Sequence, residues 1–444
     1  MRTMVLLLLA LAWTVSACAL GSAGDDTADG EPSTDRKLQS WLAKNVPPAL
    51  DDYRWLHTHP EVSFDEKNTA FFVAQQWREA GFEVTENVGG HGIVGLLENG
   101  AGKTLMLRTD LDALPVTEQT ELPFASKATV VTESGATSGV MHACGHDMHM
   151  TSLIGAARYL AAHRSLWKGT LILIGQPAEE RGSGAKAMLE DQLFERFGKP
   201  DYAVALHVES ETPTGKIALR AGYSLANVDS VDIEVIGRGG HGAAPDTTVD
   251  PIVQAAELIL SLQTIVSREI KPIEPAVVTV GSIHGGTKHN IIGDRCHLQI
   301  TVRSYTDQVR MKILNSITRR AKAIAQAYDA PEPTVRISEG VPALENDREL
   351  TPRLTDAFRR ALGKDNVLDM EPVMGGEDFS QFGIAGVPIV MVRLGAVAQK
   401  RLDRYRELGQ IPPSLHSPHF YPDAEEALPT GITTLVTAAL ELLQ

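Results

Sequence analysis

Two spacings of apolar residues alternate along the chain. "WLAKNVPPALDDYRWLHTHP" and "FDEKNTAFFVAQQWREAGFEV" repeat apolar positions every three or four residues, which predicts two helices, the second closing at Gly81 before a strand-like "FEV". Four short apolar runs follow, "GIVGLLENG", "KTLMLRTDLDALP", "GTLILIGQPAEE" and "PDYAVALHVES", each passing into a polar or proline-containing loop. A helical stretch, "MTSLIGAARYLAAHR", separates the second run from the third. Strands alternating with helices predict an α/β domain, a largely parallel sheet with helices on both faces. In such sheets chemistry gathers at the strand ends, where the polar residues of this chain cluster.

From Val228 the texture changes. "VDSVDIEVIGR" alternates, a helix runs from Pro251 to about Glu269, and "AVVTVGSIHGG" and "RCHLQITVRSY" read as strands. "TDQVRMKILNSITRRAKAIAQAYDA" is a long amphipathic helix and "TVRISEG" a last strand. The order β-α-β-β-α-β is that of a ferredoxin-like module. The α/β texture then resumes with a helix near "ELTPRLTDAFRRALG", the strand "VPIVMVRLG" and a final helix, "PTGITTLVTAALELLQ". The reading is a catalytic domain over 37–227 and 341–444, interrupted by a module over 228–340.

The first residues need another explanation. "MRTMVLLLLALAWTVSAC" carries Arg2, an apolar run from Met4 to Trp13 and small residues up to Cys18. The run is too short to span a bilayer and fits an export signal. "VSAC" resembles a bacterial lipobox, which implies a signal over 1–18, a lipid on Cys18 and an envelope location, at the periplasmic face of the outer membrane. The small, acidic stretch after it reads as a flexible tether over 19–36. Membrane contact is expected through that anchor alone. The 444 residues carry a formal charge of −15, 43% hydrophobic and 22% charged residues. Ordinary composition argues against general disorder, and the acidic balance argues against nucleic-acid binding. Of three cysteines, Cys18, Cys144 and Cys296, the last alternates like a buried strand residue, so no disulfide is expected.

Cys144 belongs to "MHACGHDMHM", which holds three histidines, a cysteine and an aspartate. Cys-x-His suits Zn²⁺ or a related ion, although a short Cys/His segment alone is weak evidence. "QPAEE" places Glu179 and Glu180 directly after a buried strand. On an extended segment they point in opposite directions, so that one carboxylate binds metal while the other acts as general base. Side by side, the like charges push one pKa upward. His207 ends another strand, and His416 lies in the loop "PSLHSPHF"; spacing does not choose between His416 and His419.

Taken together these segments resemble the zinc-dependent aminoacylase/carboxypeptidase G superfamily, in its branch of hippurate and auxin–amino-acid conjugate hydrolases. The matching motifs are "RWLHTHPEVSFDE", "RTDLDALPVTE", "MHACGHDMH", "QPAEE", "GRGGHGAAP", "GGEDFS" and "HSPHF", in family order from Tyr53 to Phe420. The resemblance implies two divalent metal ions per subunit, zinc first and manganese, cobalt or nickel otherwise. Their ligands would be Cys144, His146, Glu180, His207 and His416, with Glu179 as the catalytic carboxylate. It makes the inserted module a lid or dimerisation domain of a homodimer or higher oligomer. His241 would reach the substrate carbonyl, often from the partner subunit, and Asn290, Arg303, Gly375 and Gly376 would contact substrate. Gly145 would give the tight turn, and Asp110, Asp112, Asp147 and His149 would orient the ligands. Two departures stand out: Thr109 where the family has a small residue, and a long loop, "SKATVVTESGATSGV", before the metal segment. The implied activity is hydrolysis of N-acyl amino acids, hippurate-like, to a carboxylic acid and an amino acid, by water activated at the metals with a glutamate base. The alternatives are a dipeptidase or carboxypeptidase of the same superfamily, or a non-catalytic lipoprotein binding zinc or an acylated ligand.

Overall fold

The computed structural model describes residues 34–444, so the export signal, Cys18 and most of the tether lie outside the described residues. Helix α1 (Thr34–Thr58) takes in the last three residues assigned to the tether. The main strands in chain order are β1 (Glu83–Glu86), β2 (Ile93–Asn99), β3 (Thr104–Asp110), β4 (Gly169–Gln176), β5 (Tyr202–Pro213), β6 (Ile217–Leu219), β7 (Asn227–Ile236), β8 (Ala276–Gly285), β9 (Arg295–Ser304), β10 (Thr334–Val341), β11 (Val367–Asp369) and β12 (Ile389–Val397).

Eight of them form the large sheet, in the order β1-β2-β4-β3-β5-β12-β6-β11. The centre, β4-β3-β5-β12, is parallel, and antiparallel pairs flank it. Central strands buried on both faces must be apolar on both, because successive side chains alternate. Leu171 and Leu173 of β4 enter the core beneath α1, α2 (Lys67–Ala80), α3 (His146–Ala162) and the C-terminal helix Ala424–Leu442. Ile172 and Ile174 face the other way, toward Met188 of α4 (Gly184–Glu190) and Phe379. Each such side chain contributes roughly 1.5–3 kcal/mol by leaving water. The same alternation puts Arg108, His207 and Arg393 on this second face, two residues beyond Met106, Ala205 and Met391. Register sets His207 of β5 directly beside Arg393 of β12.

The other four strands form an antiparallel sheet in the order β8-β9-β7-β10. With α5 (Pro251–Glu269) and α6 (Asp307–Ala327) they complete the ferredoxin-like plan. Val231, Ile233 and Val235 of β7 pack with Leu258, Leu262, Ile313 and Ile317 into a core separate from the first. Both helices start on side-chain caps: Asp250 accepts the Ile252 N–H and Thr306 the Val309 N–H. Cys296 is buried in this core as a free thiol, and Cys144 is also free. The long loop before the metal segment contains a short hairpin, Thr129–Val131 against Thr137–Gly139. It was legible only as a loop because three-residue strands carry no periodicity of their own.

Candidate metal centre

Gly145 turns the chain into α3. Its φ of 75° lies in the left-handed region, and a Cβ there would sit 2.6 Å from Val208 Cγ2. Cys144 is thus left just before the helix while His146 opens it. Each imidazole is then oriented by a backbone carbonyl. His146 donates its Nδ1–H to the Asp112 carbonyl at 2.8 Å, and His207 donates its own to the Val208 carbonyl at 2.8 Å. Both Nε2 atoms are thereby turned away from the backbone toward the cluster, the usual device for presenting a ligand. His207 Nε2 lies 3.6 Å from Cys144 Sγ. Glu180 Oε1 lies 3.5 Å from His416 Nε2 and 3.9 Å from His146 Nε2.

Two triads result, Cys144–His146–His207 and Cys144–Glu180–His416, with the potential ligand atoms of each within 4.8 Å of one another. The thiol belongs to both. His146 Nε2 and Glu180 Oε1 are buried without any hydrogen-bond partner, a costly arrangement unless a cation takes their lone pairs. A thiol, imidazoles and a carboxylate form a donor set suited to divalent transition ions. The five residues therefore fit the metal implied by the sequence. Burial and then the neighbouring Glu180 push the Cys144 thiol well up, so cation binding would release its proton. His416 takes a left-handed φ of 68° and is tied to the metal segment by its N–H to the Ala143 carbonyl, 2.9 Å. His419 instead bonds the Gln119 carbonyl through Nδ1 at 2.9 Å. The structure brings His416, not His419, to the cluster.

Glu179 and Glu180 do not lie on an extended segment. Ala178, at φ 49°, turns the chain so that Glu179–Arg181 form a single 3-10 turn. Both carboxylates reach His146 Nε2, at 3.8 and 3.9 Å. Glu66 holds the turn, its Oε1 accepting the Ala178 N–H at 2.7 Å and the Phe64 N–H at 2.8 Å. Glu179 is also near Glu377 and Asp378, in a cluster of three buried acids. Burial first, then Glu377 and Glu180, raise its pKa well above the usual carboxylate range. Glu180 is raised to about 7, chiefly by burial. Desolvation is thus a larger cause than the like charge expected from the paired glutamates.

Around these groups is a charged shell that contains the expected Asp110, Asp112, Asp147 and His149 and is joined by Arg108, His57 and Glu377. Arg108, fully enclosed, donates to Gln176 Oε1 at 2.9 Å, Asp110 Oδ2 at 2.8 Å, Glu377 Oε1 at 2.9 Å and Asp378 Oδ1 at 3.3 Å. Asp110 accepts the His149 Nδ1–H at 2.8 Å, and His149 Nε2 accepts the Val208 N–H at 2.8 Å. Both ring nitrogens of His149 are engaged, so it supports the site and is not a ligand. Asp112 accepts the Glu180 N–H at 3.0 Å and the Ser63 hydroxyl at 2.6 Å. Asp147 meets His57 Nδ1 at 2.7 Å, and His57 Nε2 lies 3.1 Å from Glu118. Burial opposes the charge on His57, yet the bonds to Asp147 and Glu118 raise it to about 9.

A cleft of about 620 Å³ opens over this centre, between the two sheets. Arg303, Gly375 and Gly376 line it, as do Cys144, Glu179, Glu180, His207 and His416. Arg303 bonds the Met374 carbonyl at 2.7 Å. A Cβ on Gly376 would sit 2.6 Å from Val228 Cγ2 and 2.9 Å from Val341 Cγ2. His241 and Asn290 do not line the cleft; both are exposed on the smaller unit, where the Asn290 carbonyl holds the Gly242 N–H at 2.9 Å. Sequence reasoning missed Arg108, Glu377, His57, Glu66 and Arg393. Arg108, Glu377, His57 and Glu66 lie inside the motifs "RTDLDALPVTE", "GGEDFS" and "RWLHTHPEVSFDE", which gave them no role; for Arg393 the signal was a lone cation inside the apolar strand "IVMVRLG".

The chain is similar to known proteins along most of its length. The model of peptidase family M20/M25/M40 matches residues 106–441. The hippurate hydrolase of Campylobacter jejuni is 42% identical over 331 residues, 74% of this chain and 82% of that protein. Thermostable carboxypeptidase 1 of Saccharolobus solfataricus is 38% identical over 352 residues, 78% of this chain and 84% of that protein. A dinuclear metal binding peptidase of family M20 from Bacillus subtilis superposes with a TM-score of 0.74 at 29% identity, covering 90% of this chain and 99% of that one. A match of this extent places the chain in peptidase family M20/M25/M40 as a metal-dependent hydrolase of amide bonds.

Proposed function

We propose that the chain cleaves the amide bond of N-acyl amino acids, hippurate-like, releasing a carboxylic acid and an amino acid. The observation that carries this reading is Glu179, a buried carboxylate of raised proton affinity beside a ligand set that includes Glu180 but leaves Glu179 free to act. When bound, two zinc ions held by Cys144, His146, Glu180, His207 and His416 supply Lewis acidity toward the carbonyl and toward water. Glu179 takes a proton from the attacking water at its carboxylate and delivers it to the departing nitrogen. Asp110, Asp112 and Asp147 keep the ligands and their backbone supports in place. Similarity to the hippurate hydrolase of Campylobacter jejuni favours small acylated amino acids.

The test is a panel of N-acyl amino acids and dipeptides with the zinc-loaded protein. Glu179→Gln should lower kcat by at least about 10²-fold with metal content unchanged, whereas Glu180→Gln should lower metal content itself. Equal metal loss in both variants would reverse the two roles. Faster turnover of dipeptides than of every acyl amino acid would favour the peptidase reading, which the carboxypeptidase similarity also supports.

A further inference from the structure

All nine residues of β12 are buried, and Arg393 is the one charged side chain among them. It retains 4% exposure, its Nε has no hydrogen-bond partner, and among the described residues no carboxylate pairs with it. Arg108, also buried, has four acceptors. The contrast needs a cause, because a guanidinium keeps its charge in proteins and its burial is costly unless it is paired.

The location of Arg393 supplies one. It lines the cleft over the metal centre and lies directly beside His207 in the strand register. Neighbouring acids are committed elsewhere. Glu209, two residues beyond His207, turns Oε1 to the Ser210 N–H at 2.9 Å. Glu377 is bound to Arg108 at 2.9 Å. The other cleft cations are engaged too: Arg181 pairs with Glu133, and Arg303 bonds the Met374 carbonyl at 2.7 Å. Among the arginines that line the cleft, Arg393 is the one with neither a hydrogen bond nor an ion pair to the described residues.

We infer that Arg393 docks a carboxylate of the substrate and is a specificity-determining residue of this enzyme. The inference rests on the amide-hydrolase reading and names a chemical requirement within it, an anionic substrate seated on the floor of the catalytic domain. A guanidinium fork matches a carboxylate in two parallel hydrogen bonds. The carboxylate belongs to the α-carbon of the leaving amino acid, to an acidic side chain or to a dicarboxylic acyl group, and these three sources are separable.

The experiment uses the metal-loaded full chain as wild type, Arg393→Leu and Arg393→Lys. Substrates are N-benzoylglycine, N-benzoylglutamate and N-succinylglycine, each compared with the neutral amide of the carboxylate under test. Arg393→Leu should raise KM for the carboxylate that docks by about 10²-fold or more, and the acid-over-amide ratio of kcat/KM should collapse by the same factor. Arg393→Lys, which keeps charge without the fork, should recover part of that ratio. The pair whose ratio collapses identifies the source of the carboxylate. Metal content and thermal midpoint are measured in each variant, and Arg393→Lys carries the test if Arg393→Leu does not fold. An acid-over-amide ratio unchanged in all three pairs overturns the assignment. If the wild type cleaves none of them, the proposed function fails on its own. Calorimetric titration of the same acids and amides then decides, with a preference for acid in wild type and none in Arg393→Leu expected, and equal preference in both overturning it.

Discussion

Arg108 shows what a buried charge does when its partners are complete. Its guanidinium binds Asp110, Glu377 and Asp378, holding three acids within reach of the base while Glu179 keeps its raised proton affinity. Removing it should therefore cost more than a surface salt bridge. Arg108→Met leaves those carboxylates buried without a counter-ion and should destabilise the protein by about 3–5 kcal/mol, read from denaturant unfolding. A loss below about 1 kcal/mol would mean the acids are satisfied without it. Little of this was legible in the sequence. Cys144, His146 and the adjacent glutamates announce themselves because their residue types cluster. Arg108 opens the motif "RTDLDALPVTE", but it meets acids from a loop 269 residues away, a pairing that no local pattern shows. The choice of His416 over His419 was likewise tertiary, since a 2.9 Å bond to Gln119 takes the latter aside.

Between elements, α1 meets α3 through the apolar core and through one electrostatic contact that is sensitive to pH. His57 lies in the last turn of α1 and Asp147 in the first turn of α3, where the helix N-terminus also favours a negative charge. His57 has a folded pKa of about 9 against an ordinary 6.5, so its contribution is fully present below about pH 6.5 and is lost as pH rises through 9. Asp147 and Glu118, held below their ordinary values by their bonds to His57 once burial is overcome, contribute above the unfolded carboxylate range and lose that contribution as pH falls. The stability gap between wild type and His57→Gln should therefore narrow by roughly 3 kcal/mol between pH 6.5 and 9.5. A gap independent of pH would show His57 to be neutral in the fold. The strands and long helices on either side of this contact could be read from periodicity, as could the inserted module. The Glu179–Arg181 turn could not, because the left-handed Ala178 that creates it is held by Glu66, 112 residues earlier.

For the whole molecule the question is how two units, each with its own core, serve one cleft. The smaller unit joins the larger through the ends of β7 and β10, where Val228 and Val341 press against Gly376 so closely that only glycine fits. It carries His241, exposed and outside the cleft, although the motif "GGHGAAP" resembles one whose histidine reaches the substrate carbonyl. Its sheet also has open edges: β8 and β10 each pair on one side only, with Ile283 48% and Ile337 43% exposed. Open strand edges favour pairing with a second copy across a two-fold axis. Such a dimer would let His241 of one subunit complete the cleft of the other, stabilising the negative charge that develops on the carbonyl oxygen. His241→Ala should then lower kcat by about 10²-fold or more with metal content unchanged. Mixing distinguishes this arrangement from simple closure within one chain. Glu179→Gln and His241→Ala are each inactive alone, but when they are unfolded and refolded together, a mixed dimer contains one cleft with both residues intact if His241 acts across the interface. Activity should return in about a quarter of the sites, alongside a dimeric mass by light scattering. A dimer whose mixture stays inactive would put His241 to work within its own subunit, reached by rotation of the smaller unit rather than by pairing.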